Sequence, residues 1–318
     1  MTRIIGSLMA IALALCLALS GCGAPDRKPD ADKLEQAIKG MPGVHDAMVS
    51  YTNDFERGAT VHINVFVPDA SAKQIEDVVA RINEVRGDSF TKFDQTAEFA
   101  VTPTRTIVVK RGADLDPPGV ASDAEGLRKV TAAVGAGEAT LFRNKSTADL
   151  DLRKVAGPAD DVFAAVRAGF GDTARLDVDL LSLGSDRPSW RAAFPFSIAD
   201  QQRVNQQLAA MPVEVFRVAV GSDGTISALG VRVHNQDSAY QDLVSVIGIT
   251  GAGPAHPLNI NWRLDGATQT PQFSGSVDVG ACRYVRNSEG ELHPEKYLTP
   301  DALALQQRMR KQFDTCPK

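Results

Sequence analysis

The residues whose types and spacing suggest chemistry begin with two pairs of aspartates. Asp149 and Asp151 alternate with Leu150 and Leu152, and Asp177 and Asp179 alternate with Leu176, Val178 and Leu180. Alternation places both acids of a pair on one side of a strand. If the strands are neighbours, four carboxylates gather and offer oxygen ligands to a hard cation such as calcium. No Gly-rich ligand loop accompanies them, so the expected reading is a solvated face whose acids keep the sheet soluble, with no metal and no cofactor. The five histidines (His45, His62, His234, His256 and His293) show no helical ligand spacing and no HExxH. No GxSxG, GxGxxG or Walker loop occurs. Residues 248–253 (GITGAG) look like a phosphate loop but follow a helical pattern, which makes them a helix C-cap. The chain thus lacks a catalytic signature.

The four cysteines carry more information. Arg3 is followed by an uncharged, almost wholly apolar run over residues 4–18, too short for a comfortable span and suited to a signal-peptide core. It ends in Leu19-Ser20-Gly21-Cys22. This resembles the lipobox of bacterial lipoproteins. The resemblance implies cleavage before Cys22, a diacylglyceryl group on its thiol and attachment to the cell membrane on the extracytoplasmic side. It implies a signal peptide over 1–21. Residues 22–31, rich in Gly, Pro and charge, read as a lipidated N-terminus and tether. Cys16 leaves with the signal, so Cys282 and Cys316 remain as a pair in an oxidising compartment and are expected to form a disulfide. Such a bridge contributes about 3 to 4 kcal/mol by the chain-entropy estimate.

The chain has 318 residues and a formal charge of −5. Loss of Arg3 leaves about −6. This mild, scattered acidity provides no basic stripe for nucleic acid. Adhesion to anionic lipid is left to the acyl chains.

The elements that must position these residues recur. Residues 60–67 alternate, with Val61, Ile63, Val65 and Val67 on one side and His62, Asn64 and Phe66 on the other. Residues 71–86 place Ile75, Val78, Val79, Ile82 and Val85 on one helical stripe. Helix-strand-strand segments start near Asp32, Ser71, Ser122, Pro158, Ile198 and Gln236. Ser122 with Glu125 suggests a capping box after a linker over 113–123. Pairing the segments gives an α+β chain of tandem α-β-β-α-β-β units over 32–112, 120–196 and 197–318. Each is expected to lay two helices on one face of a largely antiparallel sheet. A last helix, capped by Thr299 with Pro300 in its first turn, carries Ala302, Leu305, Met309 and Phe313, and the disulfide would pin it to the last strand. Trp262 is expected in the core; Trp190, among charges and prolines, is a candidate contact residue.

The helix-strand order and the stretch from Gly58 to Val65 are similar to BON-like envelope α/β modules. That resemblance implies association with lipid or envelope polymer. The expected function is a non-enzymatic binding or scaffold module, lipid-anchored, contacting an envelope protein, lipid or polymer. The alternatives are a lipid or solute carrier and an envelope hydrolase with sequence-distant residues. The candidate partner-binding face carries His62, Asn64, Asn259, Asn261 and Arg263. Short Asn and Asp are poor strand formers, so their presence on strands needs a reason.

Overall fold

The computed structural model describes residues 26–54, 58–112, 115–135, 137–144, 147–172, 174–184, 187–266, 270–282 and 288–315. They form two compact units. One comprises the described residues up to Ala100 with Lys110–Ala121, the other Val101–Val109 with the described residues from Ser122 onward. Strand β4 (Arg105–Arg111) and helix α3 (Pro117–Val134) each contain a division between them.

The first unit opens with α1 (Lys28–Lys39), whose start carries a proline in the first turn and Asp30. Ala31, Leu34 and Ile38 bury its apolar stripe. The helix therefore begins inside the stretch expected to be tether. Strands β1 (Asp46–Asp54) and β2 (Gly58–Phe66) pair antiparallel over nine residues without a register shift. Val61, Ile63, Val65 and Val67 are all buried, as their alternation requires. Helix α2 (Ala72–Arg86) starts with a full capping box. The Gln74 N–H donates to Ser71 Oγ, and the Ser71 N–H donates to Gln74 Oε1. It crosses over to β3 (Asp94–Ala100), which lies parallel to β2.

In the second unit, β5 (Glu138–Arg143) and β6 (Ala148–Val155) lead to α4 (Ala159–Phe170), β7 (Asp177–Ser182) and β8 (Ser189–Ala193). Helix α5 (Ile198–Ala209), β9 (Glu214–Val220) and β10 (Ile226–Val233) follow, then α6 (Ala239–Thr250), β11 (Leu258–Leu264) and β12 (Ser274–Val279). Short helix α7 (Glu289–Leu292), a 3₁₀ turn (Pro294–Lys296) and α8 (Pro300–Phe313) close the chain. The element order is thus helix-strand-strand six times, and this mixed helix and strand content fits the α+β class expected from the sequence.

Three expectations change. The sheet is mixed rather than largely antiparallel. Hairpins pair antiparallel, while β6–β7, β8–β9 and β10–β11, each separated by a helix, pair parallel. A tight turn reverses the chain, whereas a helical crossover restores its direction. Second, 120–196 and 197–318 do not separate. Strand β8 pairs with β9, which removes the free edge two separate sheets would each leave. Third, Ser122 is interior to α3, not its cap. The helix starts at Pro117, where missing N–H groups cost nothing. Gly126 of α3 and Gly169 of α4 let these helices approach closely. A Cβ on Gly126 would stand 2.9 Å from the Gly169 carbonyl oxygen.

The second unit's core is aromatic around α4. Phe163 meets Trp190 and Phe196 edge-on at centroid distances of 5.5 and 5.4 Å. Such pairs add about 0.5–1.5 kcal/mol to the burial of the rings. Trp190 is 6% exposed. It is therefore a core residue and not a contact residue. Its strand sends Trp190 and Ala192 inward and Arg191 outward. Trp262 is buried as expected.

Candidate functional site

The two aspartate pairs are brought together. Strands β6 and β7 lie parallel, with Asp149 opposite Asp177 and Asp151 opposite Asp179. Strand β8 adds Arg191 opposite Asp179. Its guanidinium donates to Asp177 at 3.2 Å, and Arg153 donates to Asp151 at 2.8 Å. Burial pushes the Asp179 carboxyl up. Arg191 opposes that, and Asp151, Asp177 and Asp149 reinforce it. The charge of Asp179, followed by the hydrogen bond to Asp177, raises Arg191 in turn. Arg191 and Arg153 are the cations that hydrogen-bond these acids. No group of three or more His, Cys, Asp or Glu among the described residues has metal-holding geometry. The cluster sets four carboxylates against two guanidinium groups and keeps an excess of negative charge.

A second cluster on β9–β12 holds three of the expected face residues. The Asn261 amide donates to Asn259 Oδ1 at 2.6 Å, and the Asn259 amide donates to Asp278 Oδ1 at 2.7 Å. Asp278 is 1% exposed, so this ladder hydrogen-bonds a buried carboxylate on the neighbouring strand. Asn259 is accordingly a structural residue, whereas Asn261 and Arg263 are exposed. Arg263 lies over the Phe216 ring at 4.2 Å and Arg232 at 5.6 Å. Phe216 sits at a register irregularity between β9 and β10. Its ring occupies the space above Gly230, where a Cβ would come within 2.6 Å of it. The sequence missed this stack. Its signal was a glycine in a strand, which marks a bulge or a close approach.

In the first unit, His62 is exposed and Asn64 half-buried on β2. Their neighbours are Ser50 and Met48 on β1 and Thr96 and Glu98 on β3. His62 and Asn64 therefore belong to a different unit from Asn259, Asn261 and Arg263. All five histidines are exposed. A shallow depression of about 490 Å³ lies at the ends of β6, β7 and β8, lined by residues including Arg175, Asp177 and Ser222. Cys282 lies just past β12. Cys22 and Cys316 lie outside the described residues.

No protein-family model matches the chain, and no curated protein and no solved structure matches it either. No helix among the described residues is long and apolar enough to cross a membrane.

Proposed function

We propose that this chain is a lipid-anchored module of the bacterial cell envelope. Acyl chains on Cys22 hold it to the membrane, and it binds an envelope component without catalysis. Its six helix-strand-strand segments read as three α-β-β-α-β-β repeats, of which the last two share one unit. The observation that carries the binding reading is the two-sidedness of its strands. On β2 and β11, Val61, Ile63, Ile260 and Trp262 are buried while His62, Asn261 and Arg263 are exposed. Exposed, hydrogen-bonding side chains on a rigid strand suit reversible recognition. The Leu19-Ser20-Gly21-Cys22 motif carries the anchoring reading. A Cys282–Cys316 bond is part of the proposal. The Thr315 N–H donates to the Ala281 carbonyl at 3.2 Å, and these are the residues next to the two cysteines.

The test places a photo-crosslinking side chain at His62, Asn261 or Arg263 and, for comparison, at the exposed helix positions Asp77 and Gln202. Adducts in intact cells are expected to concentrate at the first three, and equal yields at all five positions would overturn the binding reading. Cys22→Ala is expected to leave an uncleaved precursor without an acyl label; normal processing with the label retained would overturn the anchor. Thiol labelling of the unfolded, unreduced mature protein is expected to find neither Cys282 nor Cys316 free. Stoichiometric labelling of both would refute the bond.

A further inference from the structure

The first unit holds the chain from a point very close to Cys22. Helix α1 starts at Lys28 and buries Ala31, Leu34 and Ile38. Its Glu35 carboxylate accepts the outward-facing N–H of Val49 on β1 at 2.9 Å. Just before the helix, the Asp26 carboxylate accepts the Tyr51 hydroxyl. The chain is therefore bound to β1 from Asp26 onward. Only four residue steps separate Asp26 from Cys22, and a fully extended chain spans at most about 14 Å in four steps.

Tyr51 marks one end of the unit. Thr52 lies opposite Thr60, which lies opposite Asp94, so β1 ends where β2 and β3 begin. The Tyr51 ring meets the Phe93 ring at 6.4 Å, which brings the preceding loop, with exposed Lys92, to the same end. The opposite end carries His45, 3.5 Å from Asp69. The nine residues of β1 separate the two ends by roughly 27–30 Å.

We infer that the first unit meets a lipid surface, the bilayer holding the Cys22 acyl chains, through the end built from Asp26, Lys28, Tyr51 and Lys92. This rests on the anchoring reading above and deepens it. The reason is reach: with the far end on the bilayer the near end would stand roughly 27–30 Å away, beyond a tether of about 14 Å. The chemistry of the end fits a headgroup layer. Tyrosine is amphipathic and favoured at that depth, and exposed lysines extend their charges into it on flexible stems. Asp26, Asp32, Asp88 and Asp94 share this end or flank it, so tether length rather than net charge imposes the orientation. The polar side of β1–β3 and the Asp69 end are thereby left clear of the bilayer.

The experiment uses the full-length acylated protein in vesicles of phosphatidylethanolamine and phosphatidylglycerol carrying a headgroup-linked energy acceptor. A donor dye is attached through Lys92→Cys in one preparation and Asp69→Cys in another, each checked for native circular dichroism. Transfer from position 92 is expected to exceed that from position 69 at least about twofold, given the separation of the ends. Inserting about twelve Gly/Ser residues between Ala24 and Pro25 is expected to erase the difference, because a flexible linker of that length lets the unit tumble. Vesicle flotation and an acyl-label assay are run on the same samples. Protein that floats and carries the label, yet transfers equally or more from position 69, overturns the orientation alone. A difference that survives the insertion overturns tether length as the cause of the orientation. Protein that neither floats nor carries the label overturns the anchoring reading, and this inference with it.

Discussion

Asp179 shows how one side chain on the polar side of a strand reports on its neighbours. Burial and three nearby carboxylates raise its folded-state pKa above the ordinary aspartate value, against the pull of Arg191. Between the unfolded and the raised folded value, the native state binds the extra proton. Stability from this site is therefore present at the acidic side of that window and lost as pH rises through the raised value. Asp179→Asn is expected to raise the melting temperature at neutral pH. It is also expected to flatten the stability gain that the parent shows on mild acidification, read from a thermal-melt series across pH. A variant less stable than the parent at neutral pH would mean that the Arg191 attraction dominates. The acid pairs were legible in the sequence because alternation alone puts their side chains together. Arg191 was not legible. A five-residue strand beside Pro188 and Pro195 reads as a loop until Trp190, Ala192 and Phe194 are seen to share the buried side. The Asn261–Asn259–Asp278 ladder gives the short amides of β11 a reason that their exposure pattern alone did not reveal.

Among the elements, α8 has the most to lose from a small change. Thr299 caps it, accepting the Ala302 N–H at 3.3 Å, as its sequence foretold. The last strand was its expected target; what the sequence did not foretell is the polar grip by which it holds that strand. Gln306 Oε1 accepts the Ser276 N–H at 2.8 Å, and Arg310 donates to the Ser276 carbonyl at 3.1 Å. Arg310 also grips Glu291 with two bonds, at 2.7 and 2.9 Å. The outward backbone groups of β12, the last strand of the second unit, are thus occupied by the C-terminal segment. The Gly280 N–H donating to Phe313 and the Gln272 N–H donating to Tyr297 extend the same pattern. Hydrogen-bond partners across a fold are not encoded in a local period, which is why the apolar stripe of α8 was readable and its polar grip was not. Gln306→Ala combined with Arg310→Ala is expected to cost about 2–4 kcal/mol, from several part-buried and charge-assisted hydrogen bonds. It is also expected to promote self-association, because a bare edge templates further strands. Chemical denaturation and sedimentation check the two halves of that expectation. A destabilised variant that stays monomeric at high concentration would show that the edge is protected by something else.

At the scale of the whole molecule, the sixfold helix-strand-strand rhythm was visible in the spacing of stripes and alternations. The grouping of those segments was not. Periodicity says which side of a strand is buried; it does not say which strand lies beside it. The parallel pairing of β8 with β9 therefore turned two expected units into one. A chain restricted to residues 101–318 keeps all of the second unit. It is expected to unfold in one cooperative transition by circular dichroism, with a denaturant slope reduced in keeping with its smaller buried surface. A broad, non-cooperative melt would count against that unit as a folding body. From β4 to β12, each strand of this unit lies next to its predecessor in the chain. Synthesis delivers the N-terminus first, so such a sheet has a growing front, and every strand that joins it presents the next raw edge. The clasp on β12 follows every strand of that sheet in the chain. A copy without the clasp consequently displays a row of amides that the clasp otherwise covers. Arrival of the clasp is written on the sheet's last edge in a form open to a quality-control protease or chaperone.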